Sequence, residues 1–258
     1  MELEKALDKI VTSLKKDPYI QAIYVKGSMG RGEHDEHSDI DLYCLVDERD
    51  EKDFLKSRLN HLRAYRELLF HDDIFIIAPQ IIAVYDNMLH VDLFTVTEAN
   101  FKEKDYFMVL YDPDNRLEKY TVTQTLVLSH EDFFDDVIDV AWFLFQYKKS
   151  ASRGNDIWSV KMLDHVVIHL ARVLLHHYCP DRAELGIKTV EKSLPVGLVK
   201  KSFTKAMESN TPDNHRIAAK QIAAIFAAEK DWIFSVLNEN EIAKIKPLME
   251  KMLDYLLE

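Results

Sequence analysis

Two cysteines are all that the chain carries, too few for a disulfide framework or a cysteine-based metal centre. Cys44 falls in a predicted core strand and Cys179 at a predicted helix end, so both are expected to be free thiols. Long apolar runs are missing as well. No stretch reaches the roughly 18 apolar residues that would span a membrane, and the opening Met-Glu-Leu-Glu-Lys lacks the basic-then-apolar form of a signal peptide. A cytoplasmic protein without a membrane partner is expected. Positive charge is also short: 33 Lys and Arg face 44 Asp and Glu, for a net charge of −11. Proteins that track long nucleic acids usually present a basic face to the phosphates. A long nucleic-acid partner is therefore not expected, and a small or cationic one suits the charge better.

Glycine is scarce, at six in 258 residues, yet three of the six, Gly27, Gly30 and Gly32, crowd into one turn. The apolar run Ile23-Tyr24-Val25 before them reads as a buried strand that the glycines break. Their concentration suggests backbone pressed against something, because glycine lets main-chain N–H groups approach a ligand that a Cβ would keep away. After the turn comes Ser38-Asp39-Ile40-Asp41-Leu42. Alternation at period two puts Asp39 and Asp41 on one face, about 6–7 Å apart at their Cα atoms, while Ile40 and Leu42 point into the core. Like charges so placed repel unless a cation sits between them. Carboxylates with no His or Cys nearby suit Mg²⁺ or Mn²⁺ rather than zinc.

Gly27-Ser28-x-x-Arg31-Gly32 followed by Ser38-Asp39-Ile40-Asp41-Leu42 resembles the signature of the DNA polymerase β-type nucleotidyltransferase superfamily. The resemblance implies a Gly-Ser pair opening a short helix that holds the triphosphate of ATP or another NTP, with Gly27, Ser28 and Arg31 as nucleotide-binding residues. It further implies that Asp39 and Asp41 bind Mg²⁺, two ions in all, and that a third carboxylate comes from a later strand. His90-Val91-Asp92-Leu93-Phe94-Thr95-Val96 supplies a strand of the right alternation, and the third role is carried over to Asp92.

The rest of the chain reads as α+β up to about residue 120 and as helix beyond. Leu3, Ala6, Leu7, Ile10, Val11 and Leu14 recur at helical spacing before Pro18. Residues 50–69 read as an amphipathic helix, 74–78 as a short buried strand, and 81–85 with 89–96 as a hairpin about Asp86-Asn87. Residues 109–111 read as a further strand, closed by the turn Asp112-Pro113-Asp114-Asn115. Helices are predicted over 131–149, 156–178, 188–208, 212–237 and 239–257, the third broken at Pro195-Val196-Gly197. The division expected is a nucleotidyltransferase domain over 1–120, a mixed sheet with flanking helices, and a helical, acceptor-binding bundle over 121–258.

A small nucleotidyltransferase sheet followed by an all-helical domain is similar to the antibiotic nucleotidyltransferases that modify aminoglycosides or lincosamides. Leu110-Tyr111-Asp112-Pro113-Asp114 resembles the strand and turn after their third carboxylate, and Arg153-Gly154-Asn155 with Lys161 and Leu163 their inter-helix loop. The implied reaction transfers a nucleoside monophosphate, AMP from ATP, to a hydroxyl of a small acceptor, by a monomer or homodimer. Asp132, Asp135, Asp136 and Asp139 share one helical face with no Lys or Arg between 131 and 147, and read either as a solvated face or as a wall for a polycationic acceptor. Trp142, Phe143, Phe145 and Trp158 would suit a lincosamide, though aromatics at helical spacing are more often core. A regulatory or toxin–antitoxin component acting on a partner protein is the alternative class. His34 and His37 read as loop residues, and His165 and His169 as packing or surface residues with no third ligand beside them.

Overall fold

The apolar positions noted between Leu3 and Leu14 become one buried stripe of helix α1 (Glu2–Leu14). That stripe meets Ile23 and Val25, Ile40 and Leu42, and Val91 and Leu93, which project from three neighbouring strands into a single apolar layer. A computed structural model of the chain describes residues 2–101 and 105–258. Contacts divide it into two units, Met1–Thr125 and Leu126–Glu258, and the fold is α+β.

The first unit is a mixed sheet of β1 (Ile20–Val25), β2 (Ile40–Val46), β3 (Leu68–Phe75), β4 (Pro79–Tyr85), β5 (His90–Val96) and β6 (Met108–Tyr111), in the order β3-β4-β5-β2-β1-β6. β2 and β5 run parallel, and the remaining neighbours are antiparallel. A parallel pair needs a long crossover, and here the crossover contains α3 (Glu51–Leu62), β3 and β4. On the face away from α1, Tyr24, Tyr43 and Phe94 are cross-strand neighbours. Their rings stack at 5.0 and 4.3 Å between centroids, which ties β1, β2 and β5 together beneath the strand ends that carry the aspartates.

One segment departs from the sequence reading. The helix expected over 50–69 ends at Leu62, and β3 begins at Leu68, inside it. The buried strand expected at 74–78 is instead the end of this longer edge strand and the turn after it. Leu69, Phe70 and Phe75 are exposed, and Ile76 is 70% exposed. Pairing with β4, from Phe70 opposite Val84 to Ile74 opposite Gln80, stabilises β3 through main-chain hydrogen bonds. A strand held that way needs little burial, so its apolar residues carry no readable period.

The second unit is helical: α4 (His130–Ala151), α5 (Asp156–Tyr178), α6 (Val190–Ser193), α7 (Leu198–Glu208), α8 (His215–Val236) and α9 (Glu239–Leu257), with a 3₁₀ segment, Pro180–Lys188, after α5. Ser129, Asn155 and Asn238 accept first-turn N–H groups and so start α4, α5 and α9. Phe133, Val137, Leu144, Val166, Leu170 and Phe226 lie in its core. No described helix is long and apolar enough to cross a membrane. Cys44 is buried, Cys179 ends α5, and both are free.

Candidate active site

The glycine-rich turn is a four-residue helix, α2 (Gly27–Gly30), between β1 and the loop to β2. Gly27 adopts φ +62°, and a Cβ there would lie 2.0 Å from Oδ2 of Asp41. Gly30 has a different constraint. A Cβ on it would come within 2.7 Å of the Tyr106 carbonyl and 2.8 Å of the Val25 carbonyl. Main-chain contacts thus hold Gly30 to glycine, and the positive φ together with the Asp41 carboxylate does so at Gly27, whatever ligand the turn also takes. The Lys26 N–H donates to the Asp41 carbonyl at 3.0 Å, fastening the turn to β2.

Ser28 is half-buried on this helix. Arg31 donates to Glu33 at 3.0 Å and to Asp105 at 3.4 Å, so two carboxylates already hold its guanidinium. Lys26 stands out beside the turn. The residue is buried, and its ammonium lies over the rings of Tyr43 and Phe101 at 5.5 and 5.7 Å. A lone lysine at the end of a strand offers no period or spacing by which sequence reasoning could have found it.

The carboxylates come together because β2 and β5 are parallel neighbours. Asp41 is paired with Asp92 in that register, and Ile40 with Val91. Asp39 immediately precedes β2, with its side chain 48% exposed, while that of Asp92 is 15% exposed. The loop before Asp39 is shaped by Asp35, whose carboxylate accepts the His37 N–H and the Ser38 hydroxyl.

A histidine completes the group. His90 stands two residues before Asp92 on β5 and hence on the same face. Its Nε2 lies 3.2 Å from Asp92 Oδ1 and its Nδ1 3.8 Å from Asp39 Oδ2. The hydrogen bond to Asp92 raises the imidazole above its ordinary pKa; burial opposes the rise, and the charges of Asp92, Asp39 and Asp41 add to it. The premise that the aspartates have no histidine nearby is therefore corrected. The signal was present as an i, i+2 relation in His90-Val91-Asp92, but its force depends on the β2–β5 pairing.

Asp39, His90 and Asp92 each offer one ligand atom, all within 4.8 Å of one another. Two oxygen donors and a nitrogen in this proximity fit a divalent cation. Asp41 is not one of the three. Its carboxylate lies against Gly27, at the turn. Next to the cluster opens a cleft of about 820 Å³, lined by Glu2, Glu36, Ser38, Asp39, Asn87 and His90 among others, with no Lys or Arg among the described lining residues.

In the second unit, the acidic face of α4 is largely engaged by its own neighbours. Asp136 is 5% exposed and accepts hydrogen bonds from Arg172 Nε at 2.7 Å and His169 Nδ1 at 2.8 Å. Asp139 lies 3.5 Å from the same His169, and Asp132 meets the Ser129 cap. Neither a solvated face nor a free acidic wall describes Asp136. It is the buried anion of an ion-pair network that Arg172 extends to Glu184 at 3.1 Å. Phe143 stacks on His165, Trp142 is 45% exposed and Trp158 52% exposed, while Arg153 and Lys161 are exposed.

The family model described as "Polymerase beta, Nucleotidyltransferase" matches residues 8–89, a span that contains Gly27, Ser28, Arg31, Asp39 and Asp41. No curated protein matches the chain. Among solved structures, a nucleotidyltransferase-like protein from Exiguobacterium sibiricum 255-15 is similar at 13% identity and a TM-score of 0.42, over 98% of this chain and 90% of that one. An aminoglycoside 6-adenyltransferase from Bacillus subtilis is similar at 10% identity and a TM-score of 0.35, over 96% of this chain and 98% of that one. Residues 8–89 thus match the polymerase β nucleotidyltransferase family model, a match that supports a transferase.

Proposed function

We propose that the protein transfers AMP from ATP to a hydroxyl of a small, amine-bearing acceptor of the aminoglycoside type. The observation that carries this reading is the parallel pairing of β2 and β5, which sets Asp41 beside Asp92 and brings Asp39 close, at the turn formed by Gly27 and Ser28. Gly27, Ser28 and Arg31 hold the nucleotide phosphates. Divalent ions, when bound by Asp39, Asp41 and Asp92, neutralise the triphosphate and favour departure of pyrophosphate. Asp92, the less exposed of the outer pair, takes the acceptor's hydroxyl proton as its oxygen bonds to the α-phosphorus and the α–β bridging bond breaks, the electron pair leaving with pyrophosphate.

The acceptor is assigned to the cleft beside this group. Glu2, Glu36 and Asp39 are among its described lining residues and no Lys or Arg is, which supports an acceptor bearing ammonium groups. This moves the polycationic preference from α4 to the first unit, since Asp136 is already neutralised by Arg172. The test is mass spectrometry of ATP–Mg²⁺ reactions with kanamycin, streptomycin and lincomycin. An adduct of AMP mass on an aminoglycoside is expected, lost in Asp39→Asn and in Asp41→Asn. An adduct on lincomycin alone, or on none of the three, overturns the acceptor. Full activity in either variant overturns the catalytic assignment.

A further inference from the structure

His90 has no part in the reaction so far described, yet its ring lies between the two outer carboxylates, 3.2 Å from one and 3.8 Å from the other. Ligands about 2.1 Å from a common ion stand roughly 3–3.5 Å apart. The three ligand atoms of Asp39, His90 and Asp92 fall within 4.8 Å of one another. Only a small closing movement separates them from a coordination shell. Two of the three have room to make it, because the side chains of Asp39 and His90 are 48% and 37% exposed. Asp92, less exposed at 15%, is the anchor.

The geometry points to His90 as a nitrogen ligand that, with Asp39 and Asp92, makes this position select a first-row transition-metal ion such as Mn²⁺ over Mg²⁺. The inference rests on the reading of Asp39 and Asp92 as metal ligands and adds to it the choice of ion. Mg²⁺ takes oxygen donors and keeps its waters, whereas imidazole gains affinity along the transition series. An all-carboxylate site discriminates weakly between Mg²⁺ and Mn²⁺. One nitrogen donor changes that.

The arrangement is specific to the topology. His90 is paired with Val84 in the hairpin with β4, and its neighbour Val91 with Ile40 across the parallel pair, so the ring is held at the level of Asp39 by pairing on both sides. A surface histidine without those constraints would have no fixed relation to Asp39, fifty-one positions earlier in the sequence.

The experiment loads the full-length protein with Mn²⁺, without nucleotide or acceptor, and examines it by pulsed EPR. Modulation from a directly bound imidazole ¹⁴N is expected in the wild type and absent in His90→Asn. Calorimetric titrations should show Mn²⁺ affinity falling about 10-fold or more in His90→Asn, with Mg²⁺ affinity changed less than about twofold because oxygen donors dominate there. Bound Mn²⁺ lacking nitrogen coupling in the wild type, or an equal fall for both ions in the variant, overturns the role of His90 while leaving the carboxylate site standing. Absence of saturable binding of either ion to the wild type overturns the carboxylate site as well. The wild-type spectrum decides the question even if the variant folds poorly.

Discussion

Gly27 and Asp41 are in such close approach that a single methyl group on the former would overlap the carboxylate of the latter, with 2.0 Å between the added Cβ and Oδ2. Gly27→Ala must therefore displace Asp41 or reshape the turn, besides placing alanine at φ +62°, which costs about 1–2 kcal/mol. Turnover is expected to fall by about 10²-fold, the scale on which a misplacement of about 1 Å acts. Gly32→Ala is the control. It shares the positive φ, at +69°, but has no heavy atom within 4 Å of the added carbon. It should lose comparable stability in thermal melts and keep near-wild-type kcat/KM.

Asp92→Asn separates proton transfer from nucleotide binding. If Asp92 takes the hydroxyl proton, kcat falls by about 10²–10⁴-fold, while ATP affinity measured by calorimetry changes little. Equal losses in both would make it a metal ligand without a further duty.

The Asp136–Arg172 pair gives a stability prediction inside the second unit. Removing one partner of a buried pair leaves the other charge uncompensated, at a cost of about 3–5 kcal/mol. The Asp136 side chain is 7% exposed and that of Arg172 22%, and Asp136→Ala leaves the guanidinium its pair with Glu184, so the loss is expected near or below the lower end of that range. The Asp136→Ala/Arg172→Ala double variant should lose less than the sum of the single losses in urea unfolding. Additive losses would show that the two side chains do not depend on each other.

Alkaline pH supplies a further test. Burial pushes Tyr147 up to about 12, with Asp156 and Tyr255 adding to the rise and Arg216 opposing it. The unfolded phenol ionises near 10. Below that pH, Tyr147 keeps its proton in both states and its contribution is intact. Between about 10 and 12 the unfolded chain releases a proton that the folded chain retains, so stability falls as pH rises. Tyr147→Phe should reduce the drop in urea midpoint between pH 9 and pH 11. An unchanged drop would mean that Tyr147 ionises like the unfolded side chain.

Much of the chain was legible from local spacing. The stripe from Leu3 to Leu14, the placement of Asp39 and Asp41 on either side of Ile40, the outward face of Asp92 and the break at Pro195-Val196-Gly197 follow from the 3.6- and 2-residue periods and from glycine and proline. These are properties of a few consecutive residues, and tertiary structure did not alter them. Where pairing partners are distant, periodicity carried no information. Edge strand β3 was read partly as helix because its hydrogen bonds to β4, rather than burial, hold it. Asp136 was read as part of a solvated face or of an acceptor wall because Arg172, which pairs with it, lies on another helix.

The sequence by itself thus determined which residues could face the same way: Asp39 with Asp41 along one strand, and His90 with Asp92 along another. Only the tertiary structure decided that the two strands lie side by side and parallel, which brings the His90 ring between Asp39 and Asp92. A side chain's direction is set by the backbone dihedrals beside it, whereas the meeting of two strands is set by the burial of a whole sheet face, a sum over residues that no short stretch contains.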